Sequence, residues 1–133
     1  MKNQTRNFTL WFVLIAIGYV AYATIFIFQS SFVVSGERFF TLFDDAMIAM
    51  RYARNLADGF GLVWNPGGER VEGFTNPLWT LYMAFFHLLG IPQSKMGLPL
   101  QVSGALFLLI NIYFIGKLCH GLSHRAVFAS VLA

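Results

Sequence analysis

The chain has 133 residues, of which 57% are hydrophobic, 17% aromatic and only 11% charged, with a net charge of +3. That charged fraction excludes an ordinary water-soluble globule, for which about 25% is usual, while 15 phenylalanines exclude disorder and one cysteine excludes an internal disulfide. All six acids (Glu37, Asp44, Asp45, Asp58, Glu69, Glu72) lie between positions 37 and 72, and no basic stripe exists, so the pI near 9.3 does not point to nucleic acid.

In chain order, the first element is Phe8 to Phe28, 21 residues without a charge, preceded by Lys2 and Arg6. At 1.5 Å per residue it is long enough to cross a hydrocarbon core of roughly 30 Å. The two leading charges place the N-terminus in the cytoplasm. A secretory signal peptide is the competing reading, with an apolar region of about 7–15 residues ending at small residues. The finish Ile25-Phe26-Ile27-Phe28 favours an uncleaved span instead.

Residues 30–77 follow as a charged insertion, expected on the outer side of the membrane. Within it, Ala46, Ala49, Met50, Ala53, Leu56 and Ala57 recur at helical spacing, which predicts an amphipathic helix over 44–58. Its alanines permit close approach to a membrane surface or a neighbouring helix. The line Asp44, Ile48, Arg51, Asn55 and Asp58 forms the mostly polar face, and Gly59 and Gly61 end the helix. Asn65-Pro66-Gly67-Gly68 is strong turn chemistry.

Leu78 to Ile91 is a second apolar run of only 14 residues, bounded by Pro77 and Pro92, marginal for a crossing. Trp79 and Tyr82 at its start suit an interfacial aromatic belt. Leu98 to Leu118 is a clear span, interrupted by Gln101, Asn111 and Lys117. Asn111 is expected to bond a neighbouring helix. Three crossings would leave Lys95 in the cytoplasm and Lys117 and Arg125 outside. Ala126 to Ala133 reads as the start of a fourth helix. The expected fold is therefore an all-α integral membrane protein with about three transmembrane helices. It divides into 1–29 (N-terminus and first span), 30–77 (external acidic loop) and 78–133 (further spans).

Several residues carry candidate chemistry. Asp44-Asp45 is readable as a helix N-cap with a second acid favoured by the helix dipole, each worth about 1 kcal/mol. The competing reading is a general base or a ligand for a divalent cation. Successive helical side chains diverge by about 100°, so the two acids do not serve one atom, and Asp44, on the polar line with Arg51, is the better placed. In the following loop, arginine suits a phosphate, and asparagine and carboxylates suit sugar hydroxyls. His87, among Phe85, Phe86 and Leu88, is readable as a bundle histidine or as an axial ligand of a haem or chlorophyll-type pigment. Cys119, His120 and His124 superficially suggest a metal cluster, but interface residues are the better reading.

The stretch Phe43-Asp44-Asp45, then Arg51-Tyr52-Ala53-Arg54-Asn55-Leu56, then Asn65-Pro66-Gly67-Gly68-Glu69-Arg70-Val71-Glu72-Gly73, then Thr75-Asn76-Pro77-Leu78-Trp79-Thr80 resembles the first external loop of the GT-C membrane glycosyltransferases. It is closest to the branch resembling the mycobacterial terminal β-(1→2)-arabinofuranosyltransferase. The resemblance implies transfer of a sugar from a polyprenyl-phosphate donor to a cell-envelope glycan, on the outer side of a bacterial cytoplasmic membrane. Asp44 or Asp45 would deprotonate the acceptor or help bind a divalent cation. Arg51, Arg54 and Arg70 would hold the donor phosphate, with Glu72, Thr75 and Asn76 near the sugar. Family members have more spans and a further external domain. This chain is accordingly expected to be the N-terminal part of such an enzyme, or else a small non-catalytic membrane subunit packed against a larger membrane complex.

Overall fold

A computed structural model describes the backbone of residues 2–131 and the side chains of residues 7–119. The chain is mostly helical: α1 (Lys2–Gln29), a hairpin of β1 (Phe32–Val34) and β2 (Glu37–Phe39), α2 (Asp44–Ala57), α3 (Pro77–Leu88), a 3-10 turn (Gln93–Lys95) and α4 (Gly97–Val131). Two compact units result, one built from residues 1–25 and 103–133, the other from 26–102.

Among the described residues, two helical stretches are long and apolar enough to cross a membrane. These stretches are Asn7–Gln29, with 23 residues, and Gln93–Cys119, with 27. The third expected crossing does not materialise. α3 has 12 residues, about 18 Å of helix, against the roughly 30 Å that a bilayer core demands. Pro77 fixes its start, where the missing N–H costs nothing, and Gly90, at φ +69°, lies just beyond its end. The all-α expectation also needs correction. Ser35 and Gly36 both take positive φ, +50° and +83°, the turn geometry that matches strand twist, and so Phe32 pairs with Phe39, Val33 with Arg38 and Val34 with Glu37.

In the first unit the early part of α1 meets the late part of α4. Phe8, Phe12, Ala16 and Tyr19, spaced 4, 4 and 3 apart, form the half-buried stripe of α1. Phe12 packs edge-on against Tyr113 at 5.2 Å, and a Cβ added to Gly116 would meet the Phe8 ring at 2.9 Å. Numbers rise along one helix as they fall along the other, so the pair is antiparallel. Most other side chains on these stretches face outward, Trp11 at 65% and Ile17 at 62% exposure among them. Two polar side chains of these stretches bond within their own helices. Thr24 Oγ1 donates to Val20 O at 2.8 Å. Asn111 Nδ2 donates to Phe107 O at 2.8 Å, within its own helix and not to a neighbour. Cys119 is exposed, and the side chains of His120 and His124 lie outside the described residues.

The second unit has the only buried hydrophobic cluster among the described residues. Ala49, Met50 and Ala53 of α2 meet Met83 and Ala84 of α3, with Met96 and Leu100 closing the layer. The alanine stripe thus faces α3, where the small side chains bring the two helix backbones together. The hairpin is tied to the segment before α4. Phe40 N donates to Ser94 O at 2.7 Å, and Ser94 Oγ donates to Glu37 Oε1 at 2.6 Å. Gln101 Nε2 donates to Thr41 O at 3.1 Å and to Ser30 Oγ at 3.3 Å.

Candidate functional site

The site lies within the second unit, and α2 supplies most of it. α2 begins at Phe43, an extended residue whose side chain caps nothing, and Asp44 takes φ +38°. That left-handed backbone is one that aspartate tolerates better than most residues, at a cost of order 1 kcal/mol. Asp44 and Asp45 are both exposed in the first turn, where the helix dipole favours negative charge.

One face of α2 carries a folded-back loop. Arg51 Nε donates to Trp64 O at 3.0 Å, an Nη donates to Asn65 Oδ1 at 2.6 Å, and the guanidinium stands 4.2 Å over the Trp64 ring. Asn55 is 3% exposed, and its amide donates to Val63 O at 2.7 Å and Trp64 O at 3.0 Å. Tyr52, 1% exposed, donates to Val71 O at 2.6 Å and packs edge-on against Phe74 at 5.0 Å. The Arg-Tyr-Ala-Arg-Asn run is therefore a strap for the turn-rich segment. Asn55 belongs to the interior and not to a solvated face, because the loop's carbonyls supply the acceptors that water would otherwise provide.

A third face of α2 borders an open cleft of about 390 Å³, lined by Met47, Ile48, Met50, Arg51, Arg54, Trp64, His87, Gln93 and Met96. Its size is in the usual range for a small-molecule site, and three methionines, Ile48 and Trp64 make its walls mostly apolar. Arg54 has no hydrogen-bond or ion-pair partner among the described residues, so its charge is available to the cleft. His87 Nε2 faces Met50 Sδ at 3.1 Å. A haem or pigment bound through that nitrogen would have to displace the thioether.

The candidate residues thus separate. Arg51, Arg54 and His87 come together at the cleft. Asp44 and Asp45 stand one helical turn before Met47 and Ile48 and do not line it. Arg70, Glu72 and Thr75 are exposed on the strapped loop. Asn76 caps α3, accepting from Trp79 N at 3.3 Å, and its carbonyl accepts from Thr80 Oγ1 at 3.0 Å. Among the described residues no three His, Cys, Asp or Glu side chains are grouped to hold a metal, so a divalent cation at Asp44-Asp45 would find two carboxylates and need further ligands. Sequence reasoning overlooked Tyr52, Trp64 and the three methionines. Tyr52 had a visible signal, an aromatic flanking the helix's apolar stripe, but Gln93 and Met96 reach the cleft only through the tertiary fold.

Burial pulls the His87 pKa below its ordinary 6.5; the Asp58 carboxylate opposes this and the Arg54 guanidinium reinforces it. Below pH 6.5 the unfolded chain takes up a proton that the folded one still refuses, so stability falls as pH drops through that window. Thermal unfolding followed at about pH 7.5 and about pH 5.5 is expected to show the loss, and His87→Gln to flatten it. An unchanged slope in that variant would place the titration elsewhere.

Comparison with family models, curated proteins and solved structures gives no match for this chain.

Proposed function

We propose that this chain is the donor-recognising part of a GT-C-like membrane glycosyltransferase, using a polyprenyl-phosphate sugar. The observation that carries the reading is the cleft. It offers one engaged guanidinium, one unengaged guanidinium and a histidine within apolar walls. A lipid-linked phosphate needs that pairing of anion-binding groups with an apolar surface. The exposed Asp44-Asp45 pair, a turn away on the same helix, is suited to take the proton of an acceptor hydroxyl.

Two crossings, in place of three, support an outer location for residues 30–97. With α1 leaving the cytoplasm and α4 returning, Lys117 and Arg125 share a side with Lys2 and Arg6, as the positive-inside rule prefers. The antiparallel contact of Phe12 with Tyr113 agrees with such a pair. Lys95, at the outer start of the second stretch, runs against that rule.

Titration of a purified Trp11→Phe, Trp79→Phe chain with a polyprenyl monophosphate, read by emission of the remaining Trp64, tests the assignment. Arg54→Ala is expected to weaken binding about 10- to 100-fold, as loss of a charge-assisted contact should. The uncharged polyprenol is expected to bind as weakly to the wild type. Equal binding of the two lipids, indifferent to Arg54, would overturn it.

A second reading, a non-catalytic subunit seated on a larger membrane complex, draws on the outward apolar side chains of α1 and α4. It requires co-purification at fixed stoichiometry and indifference to substitutions at Asp44 and Asp45.

A further inference from the structure

The hairpin presents an unusual surface. A sheet with one solvated face ordinarily alternates apolar and polar side chains. Here every residue of β1 is apolar and about half exposed: Phe32 50%, Val33 55%, Val34 49%. Phe28 and Phe43, before and after the hairpin, are exposed at 56% and 66%. The hairpin's acid, Glu37, is exposed but engaged, accepting from Ser94 Oγ at 2.6 Å. Its base, Arg38, donates to Ser31 Oγ at 2.7 Å and lies 5.6 Å over the Phe28 ring, yet remains exposed. The exposed surface is thus apolar on β1 and its flanking phenylalanines, with two charges on β2 that are each held by a serine: Arg38 by Ser31 and Glu37 by Ser94.

The position in the chain says what covers it. β1 starts three residues after Gln29, where the 23-residue candidate span ends after about 35 Å of helix. A rigid two-residue turn and the Phe32–Phe39 stack at 5.9 Å hold the apolar strand in shape. A segment that leaves a span, stays apolar and keeps one arginine fits the boundary between acyl chains and headgroups.

We infer that the 32–39 hairpin, flanked by Phe28 and Phe43, is an interfacial anchor inserted into the outer leaflet, with the lipid surface as its occupant. The inference rests on α1 crossing the membrane and is independent of glycosyl transfer. Its consequence for the site is positional. Asp44 lies five residues past Phe39, and the Phe40–Ser94 bond fixes that connection, so the anchor would set the height of the carboxylates above the bilayer.

The lone cysteine makes the test direct. In a Cys119→Ser chain reconstituted into vesicles, single cysteines at Val33, Ile17 and Glu69 are each labelled with an environment-sensitive fluorophore. Spin-labelled lipids quench from near the headgroup or from mid-chain. Expected are mid-chain quenching at Ile17 and near-headgroup quenching at Val33 at least about twofold above that at Glu69. If Ile17 is quenched while Val33 is as open to an aqueous quencher as Glu69, the anchor is overturned and the span stands. Shielding of Val33 from both lipid and water would assign the surface to a protein partner, also overturning it. No quenching at Ile17 would remove the span on which the inference depends.

Discussion

Asn at Asp44 or at Asp45 is expected to lower sugar transfer by about 10²- to 10⁴-fold in the membrane-embedded protein, the range that loss of a general base produces. The change keeps the side-chain shape and removes only the charge. Both residues are exposed, and neither makes a capping bond to the start of α2, so membrane insertion and folding should be unaffected. The two substitutions also discriminate between the acids. Asp44 holds the positive-φ backbone, which Asn accepts equally well, so a larger defect at Asp44 would locate the base there without a folding artefact. The measurement is transfer from a polyprenyl-phosphate sugar to a glycan acceptor, with membrane-fraction abundance as the control. Wild-type rates in both variants would sink the catalytic assignment and favour the subunit reading.

Gly97→Ala is expected to cause the largest loss of stability among single small substitutions. A Cβ at that position would collide with the Phe40 carbonyl oxygen, closer than any van der Waals contact allows, and the carbonyl carbon lies at 2.8 Å. Both partners are backbone, so no side chain can swing away. The start of α4 or the strand exit at Phe40 must move, and with it the Phe40–Ser94 bond. Overpacking of this kind costs about 1–3 kcal/mol, and a backbone partner puts it at the upper end. Gly18→Ala supplies the control, because nothing lies within 4 Å of a Cβ there and alanine is the better helix former. Hydrogen exchange of the amides in 37–41 and 94–100 should quicken in the first variant and stay unchanged in the second. Equal protection in both would show that the junction has room the geometry denies.

The long apolar runs were legible because length and composition alone define them, and the α2 stripe was legible because Ala49, Met50 and Ala53 recur at helical spacing. The same periodicity misassigned Asn55, whose partners are carbonyls eight and nine residues on, a contact no helical wheel contains. The hairpin escaped notice because its strands are three residues each, too short for alternation to register. α3 looked like a marginal span because apolarity does not say whether a helix meets lipid or another helix. Met83 and Ala84 bury against α2. Of the site, the basic residues on α2 were readable as candidates. The cleft was not, since His87, Gln93 and Met96 arrive from other elements.

The three uses of α2 divide its circumference. Ala46, Ala49 and Ala53 take one side toward α3, Arg51, Tyr52 and Asn55 take another toward the strapped loop, and Met47 and Arg54 border the cleft, with Met50 shared between the core and the cleft. A helix so divided has no idle side about which to turn. A rotation by one residue, about 100°, would present the wrong group in all three directions at once. Any ligand that turned α2 would therefore carry the loop from Val63 to Phe74 with it, whereas one that only reoriented the Arg54 side chain would leave the loop in place.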